Sequence, residues 1–162
     1  MAASSRPPPP PARSAEPRSS VYTLSARDLT ATDGSPVNGT AIVLPRMASR
    51  VVASHVVTTS GSPTGYDMRA AIEVSFDGGT TWHQVLRFKD ITNAAALSQT
   101  VRCGANTTLS EDIATSSLGT TASTAVTTQL PWASMMRAVT KLQTLTGGTA
   151  PHILSSVLLE AA

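Results

Sequence analysis

The residues with the clearest chemical pattern lie in the stretch SFDGGTTW, which runs from Ser75 to Trp82. It matches S-x-D-x-G-x-T-W, in which one carboxylate, Asp77, stands beside two glycines and between hydroxyl side chains. Such a carboxylate could act on a glycosidic bond, but that chemistry normally uses a pair of carboxylates flanking the bond. The pattern therefore allows two interpretations, a sugar site or a well-made turn.

The same pattern is the Asp-box of sialidase and glycosidase propellers, where it recurs once per blade, away from the catalytic centre. This chain has a single copy and is too short for even a four-bladed propeller. A sialidase would also need an arginine cluster, a tyrosine nucleophile and paired carboxylates. The motif alone therefore does not predict sugar chemistry.

Each motif residue has a role in folding. Asp77 is expected to accept amide hydrogens two residues on, while the two glycines supply positive φ at little steric cost. Thr81 closes the turn with its hydroxyl, and Trp82 covers its apolar side. We therefore interpret the motif as a structural hairpin turn made by Ser75, Asp77, Gly78, Gly79, Thr81 and Trp82.

Other residues that could do chemistry are scattered. The histidines fall on separate predicted strands without metal-ligand spacing, and they are His55, His83 and His152. Asp77 and Asp90 lack the acidic clustering that a calcium site needs, and Glu111-Asp112 is interpreted as a solvated loop tip. No phosphate-binding loop, nucleophile elbow or HExxH motif is present. The sequence therefore predicts no enzyme, no metal site and no cofactor.

Composition favours a β protein of one domain with appendages. Only 4% of the 162 residues are aromatic and 14% are charged, so serine and threonine must supply much of the polar surface. Threonine with valine favours strands, and no long helical period occurs. Cys103, the only cysteine, excludes an internal disulfide and is interpreted as a small strand residue.

The charge pattern argues against nucleic-acid binding. Residues 1–27 carry +3, the remainder carries −1, and no basic cluster marks the predicted body. Neither a signal peptide nor an apolar run of about 20 residues is found. We therefore expect no membrane partner and a soluble protein made in a reducing compartment.

The first 20 residues are predicted to form an extended arm rather than part of the body. Six of them are proline, and Pro7, Pro8, Pro9, Pro10 and Pro11 form a run that should adopt polyproline II. At about 3.1 Å per residue the arm could reach on the order of 60 Å. It is either a tail or an arm laid across a neighbouring subunit. The interface candidates are those prolines with Arg6, Arg13, Arg18 and, far along the chain, Trp132.

Residues 21–162 are predicted to form the body, with a Ser/Thr-rich excursion at 104–130. Strands are expected at 21–29, 41–44, 50–59, 66–76, 82–89 and 96–103, at about 125–130, and in two segments after residue 134. The best alternation places Tyr66, Met68, Ala70, Ile72, Val74 and Phe76 on a buried face. Asp67, Arg69, Glu73 and Ser75 should lie on a wet face.

Two segments of the chain, which we call the echo segments, share one strand–turn–strand pattern. Each consists of a strand, a turn that contains Gly and Pro, and a second strand, and the two segments are residues 50–76 and 135–160. The pattern predicts two hairpins in addition to the one at Asp77. About eight short strands with regular turns predict an antiparallel β-sandwich of jelly-roll type. A barrel with the same strand count is the alternative.

The order of four motifs resembles small β-sandwich virion proteins of tailed bacteriophages. They are RVVASHVVTTSGSPT, AAIEVSFDGGTTW, MRAVTKLQTLTGGTAP and ILSSVLLEA, and the resemblance covers roughly residues 50–160. It implies a structural component of a phage particle, such as a capsid decoration (cement) protein, a head-fibre base or a neck or tail component. The partners it implies are the major capsid protein or other virion proteins, with homo-oligomers, trimers among them.

A second hypothesis is a carbohydrate-binding module or a host-adhesion domain of a tail. That function needs exposed aromatic platforms. The available aromatic side chains of this kind are Tyr22, Tyr66, Trp82 and Trp132.

Overall fold

Strands form where valine, threonine and isoleucine alternate with polar residues. The computed structural model describes residues 20–43, 50–92, 97–104, 126–127 and 135–161, and every regular element in these ranges is a β-strand. The strands are β1 (Ser20–Leu29), β2 (Val37–Asn38), β3 (Ile42–Val43), β4 (Arg50–Ser60), β5 (Gly65–Ser75), β6 (His83–Arg87), β7 (Ile91–Thr92), β8 (Leu97–Gly104), β9 (Val126–Thr127), β10 (Met135–Thr146) and β11 (His152–Ala161). The arm residues, Glu111, Asp112 and Trp132 lie outside the described residues.

These strands form two antiparallel sheets. Sheet A has the order β1-β11-β4-β8, and sheet B has the order β2-β10-β5-β6-β9. The short strands β3 and β7 add to β10 and β5 in sheet B. The architecture is therefore all-β, as the composition predicted, and it is a two-sheet sandwich rather than a barrel.

The strand order is that of a jelly roll. If β2 with β3 and β6 with β7 each count as one position, and β9 is set aside, the chain has eight strand positions. Their orders are then 1-8-3-6 in sheet A and 2-7-4-5 in sheet B. Two sheets of four strands connected in this way form the jelly-roll sandwich. The predicted fold class is confirmed.

The two echo segments do not form the predicted hairpins. β4 pairs with β11, and β5 pairs with β10, so each Gly- and Pro-containing turn carries the chain from one sheet to the other. Of the three predicted hairpins, only β5–β6 exists. The prediction was wrong because alternation identifies strands but does not say which strand lies beside which.

The two crossing turns pack against each other at one end of the sandwich. Thr149 N donates to Gly61 O at 3.0 Å, and Thr64 N donates to Thr146 O at 2.9 Å. Gly148 has φ +81°, and a β-carbon there would press on the backbone of the other turn at Gly61. We call this the closed end. Its counterpart, the entry end, holds Ser20, Ala161, Ser75 and Met135.

The core between the sheets has two adjoining parts. The larger part joins residues from both sheets, including Leu24, Ala53, Ile72, Phe88 and Leu159. The smaller part lies towards the closed end and is made by Leu29, Val57, Tyr66, Met68, Ile91, Leu142 and Ile153. Strand alternation gives each sheet one face for this core.

β5 departs from its predicted pattern in two ways. Phe76, assigned to the buried face, is 50% exposed because it follows the last residue of the strand at the entry end. Arg69 and Ser75, assigned to the wet face, are 5% and 0% exposed. Each buried side chain has a hydrogen-bond partner, Asp67 for Arg69 and Asp77 for Ser75. The alternation of apolar and polar residues along the strand does not predict such burial.

Candidate functional site

The Asp77 corner joins β5 to β6 through hydrogen bonds within the turn. The Ser75 hydroxyl donates to Asp77 Oδ1 at 2.8 Å and accepts the Gly79 amide at 2.8 Å. Asp77 Oδ1 also accepts the amides of Thr80 at 3.1 Å and Thr81 at 2.8 Å. The amides bound by Asp77 are thus three and four residues on, whereas two residues on was expected. The amide two residues on, that of Gly79, donates to the Ser75 hydroxyl instead.

Gly78 and Gly79 reverse the chain at this corner. Their φ values are +73° and +98°, a region that glycine enters without steric cost. The Trp82 indole closes the turn by donating from Nε1 to Gly79 O at 2.9 Å. All six predicted turn residues therefore meet at one corner, and their polar groups bond mainly with one another.

These hydrogen bonds fix the ionisation of Asp77. Amide and hydroxyl donors from Thr81, with the Ser75 hydroxyl and the Thr80 amide, hold the pKa of Asp77 well below its ordinary value of 3.8. A carboxylate with so low a pKa stays charged and is a poor general acid. These hydrogen bonds hold the turn together.

Trp82 offers little platform for a sugar ring. The Arg137 guanidinium lies over the indole, 4.1 Å from its centroid. Arg137 is held in place by Glu73, whose carboxylate accepts from Nε at 2.9 Å and from Nη2 at 2.7 Å. One face of the indole and its N–H group are thus occupied within the protein.

The histidines lie apart, as their spacing predicted. His152 Nδ1 lies 2.8 Å from Asp28 Oδ1 on neighbouring strands. The exposed His83 ring is 5.9 Å from Phe76. His55 is fully buried in the core, with Nε2 3.1 Å from the Ser155 hydroxyl.

The sequence analysis did not predict that His55 is buried in the core beside Ser155. Its ring lies 5.4 Å from Phe88, and Nδ1 finds no hydrogen-bond partner in the part of the chain that the structure describes. Burial and, as the smaller cause, the nearby positive charge of Arg87 together lower the pKa of His55 to about 4. A histidine flanked by valines and a serine carries no signal of this in the sequence.

The sequence analysis also did not predict a buried ion-pair network of two arginines and two aspartates, formed by Asp67, Arg69, Arg87 and Asp90. Arg69 binds both oxygens of Asp67 at 2.6 to 3.1 Å and approaches Asp90 Oδ2 at 3.3 Å. Arg87 Nη2 donates to Asp90 Oδ1 at 2.6 Å, and Nη1 donates to Ala70 O at 3.0 Å. Asp90 is therefore engaged in ion pairs with Arg69 and Arg87. Buried charges are stable only when paired in this way.

The entry end carries exposed apolar side chains. Val21, Val43 and Phe76 are 67%, 70% and 50% exposed there, which makes three of the five large exposed hydrophobic residues in the described ranges. Residues 1–19 join the body at the same end, through Ser20. Apolar exposure grouped in this way is typical of interaction surfaces.

The described ranges contain no group of three or more His, Cys, Asp and Glu side chains that could hold a metal ion. No helix in these ranges is long and apolar enough to cross a membrane.

No family model and no curated protein matches this sequence. Two solved structures align with most of the chain. One is of infectious bursal disease virus Gt strain, with 14% identity, a TM-score of 0.47, and coverage of 90% of this chain and 33% of that one. The other is of the Gx strain, with 13% identity, a TM-score of 0.43, and coverage of 91% and 32%. The chain spans about a third of each.

Proposed function

We propose that this protein is a structural component of a virus particle, and specifically a capsid decoration protein of a tailed bacteriophage. The observation that carries the proposal is the jelly-roll order of the strands, 1-8-3-6 and 2-7-4-5, on a body of this size. Jelly rolls build viral capsid and lectin domains and cupins. The motif order along residues 50–160 favours the virion member of that set.

The surface supports docking rather than catalysis as the mode of action. The most conspicuous motif, at Asp77, is used by its own turn. Apolar side chains are instead exposed at the entry end, at Val21, Val43 and Phe76. A decoration protein binds through area, and an arm that orders on docking can wrap a wide surface of its neighbour.

The proposed partners are the major capsid protein or other virion proteins, together with further copies of this chain. A neck or tail component or a head-fibre base would use the same surfaces at another place on the particle. A carbohydrate-binding module is the weaker candidate because Trp82 is engaged by Arg137 and by Gly79 O.

The test has two steps. Particles from the source of the sequence are purified, and mass spectrometry with cryo-electron microscopy asks whether the protein is present and where its density lies. Particles stripped of the protein are then incubated with the full chain or with a variant lacking residues 2–19, which retains Ser20, the first residue of β1.

The proposal predicts density on the shell and at least about a tenfold loss of rebinding for the truncated chain, equal to 1.4 kcal/mol. A variant with Pro7 to Pro11 changed to serine keeps the length and charge of the arm and isolates the contribution of its stiffness. Absence of the protein from particles would overturn the structural role. Equal rebinding by truncated and full-length protein would overturn the role of the arm.

A further inference from the structure

The outer face of sheet A holds a shallow groove of about 400 Å³. Strand register places Ala26, Ser156 and Val56 in one row across β1, β11 and β4. Asp28, Leu154 and Thr58 form the next row. Small side chains at Ala26 and Ser156 leave the depression, and Leu154, 44% exposed, forms its apolar wall.

The groove suits a ligand that has few N–H groups. β11 is paired on both sides, with β1 and with β4, so its backbone amides are engaged in the sheet. What remains for a ligand is apolar surface, the hydroxyls of Ser156 and Thr58, and the exposed carboxylate of Asp28. A proline-rich segment fits because it offers rigid apolar surface without amide donors that would lose their partners.

Charge on this face favours a basic segment. The Asp28 side chain is 56% exposed, although His152 Nδ1 contacts it, and Glu160 is exposed on the same face of β11. The nearby cation, Arg27, is already bound by Asp33 at 2.7 Å. Residues 1–19 contain Arg6, Arg13 and Arg18 against one acid, Glu16. Opposite charges of this kind guide association and set its orientation.

We infer that this groove receives the proline-rich arm, residues 1–19, of a second copy of the chain. The arm joins β1 at Ser20, and the groove lies further along β1 in the opposite direction, so the same copy would have to turn its arm back. An extended arm of about 60 Å exceeds the roughly 33 Å length of a ten-residue strand, so it can reach a neighbour. The inference rests on the proposed role of the arm as a contact between subunits.

Cross-linking in the full chain tests the pairing directly. Pro9 is replaced by the photo-crosslinking residue benzoylphenylalanine, and copies grown on ¹⁴N and ¹⁵N are mixed before illumination. Mass spectrometry is expected to find cross-links from position 9 to residues 26–28, 56–58 or 154–156 in mixed-isotope peptide pairs. Cross-links confined to same-isotope pairs, or to other surfaces, would overturn the inference.

Two substitutions sharpen the result. Leu154→Lys places a positive charge on the groove wall and should lower the cross-link yield about tenfold, because it repels the arm and removes apolar contact. Val37→Lys is the matched control, since Val37 is a similarly exposed valine (38%) on β2 in the other sheet, and its yield should stay unchanged.

If Leu154→Lys has a lower melting temperature than the wild type, Asp28→Lys places a positive charge in the groove at a more exposed position and repeats the cross-linking test. Equal cross-linking in the groove variants and in Val37→Lys would overturn the inference. Because these measurements use purified protein alone, a failure here with intact particle binding would remove the arm–groove pairing and leave the proposed function standing. Cross-linking in the groove without binding to particles would instead remove the proposed function and leave the arm–groove pairing standing.

Discussion

At the Asp77 corner, one carboxylate and one hydroxyl satisfy three backbone amides. Ser75 binds Gly79, while Asp77 binds Thr80 and Thr81, so these three amides are satisfied within the reversal between β5 and β6. Local side-chain caps of this kind compete with other backbone structures and select the turn.

We predict that Asp77→Asn lowers the melting temperature at pH 7 by a few degrees. The folded-state pKa of Asp77 lies below 3.8, so its ionisation stabilises the fold above that pH and the contribution is lost as the pH falls. The difference between wild type and variant should therefore shrink in acid. Thermal melts from pH 7 to pH 2.5 measure this, and a constant difference would contradict the depressed pKa.

His55 sets a second dependence on pH, at a higher range. Its neutral ring is buried against Ser155 and Phe88, with Arg87 as the neighbouring positive charge. Protonation would bury a positive charge with N–H groups on both ring nitrogens, and Nδ1 has no partner among the described residues. Burying an unpaired charge is costly.

We therefore predict that the sandwich loses stability as the pH falls from 6.5 towards 4. The unfolded histidine protonates near 6.5 and the folded one near 4, so folding is opposed by up to about 3 kcal/mol at the acid end. Urea unfolding at several pH values measures the loss. His55→Phe should flatten this part of the profile, whereas His83→Phe, at an exposed position, should leave it unchanged.

At the scale of elements, the docking of two turns holds the closed end. The turn between β4 and β5 and the turn between β10 and β11 meet through glycines whose hydrogen atoms allow the backbones to touch. Their contact ties both sheet crossings together, because β4 already pairs with β11 and β5 with β10.

Gly148→Ala is expected to destabilise the fold by at least about 2 kcal/mol. The alanine would have to adopt φ near +81° and would meet the backbone of Gly61 and Ser62. Gly34→Ala is the control, because Gly34 has open space around its Cα and the change should cost less than about 0.5 kcal/mol. Chemical denaturation distinguishes them, and equal stability of the two variants would refute the docking role.

At the scale of the whole molecule, the ion pair between Arg27 and Asp33 and its hydrogen bonds help to join the two sheets on one side of the sandwich. Arg27 of β1 binds both oxygens of Asp33, and Asp33 accepts the Leu142 amide of β10 at 2.7 Å. Partial burial alone would raise the pKa of Asp33, but these donors hold it below 3.8. The link joins β1, an edge strand of sheet A, to β10 of sheet B.

The arm should affect stability only through a neighbouring copy. If it binds the groove of a second molecule, the wild-type melting temperature rises with protein concentration, because a partner that binds only the folded state stabilises it by mass action. A hundredfold increase in concentration then contributes up to about 3 kcal/mol, or a few degrees. A chain lacking residues 2–19 should melt at the dilute wild-type temperature at every concentration. Differential scanning calorimetry measures both.

Several features could be predicted from the chain itself because they depend on neighbours in sequence. The long strands follow from alternation of apolar and polar residues. The strands predicted at 21–29 and 96–103 are observed as Ser20–Leu29 and Leu97–Gly104. The hairpin at Asp77 follows from residues within eight positions of one another. Local preferences act before the fold is complete, so their residues carry the signal.

Only the tertiary structure decided which strands became partners and which polar residues became buried. The echo turns at Gly61 and Gly148 cross between sheets, although the same sequence signals are compatible with hairpins. The burial of Arg69 beside Asp67 and Asp90, and that of His55 beside Ser155, depends on residues brought together from separate strands. Sequence determines the local geometry of a strand or turn through short-range sterics and hydrogen bonds. The choice among pairings depends on the total burial that each arrangement achieves, and this is a property of the whole chain.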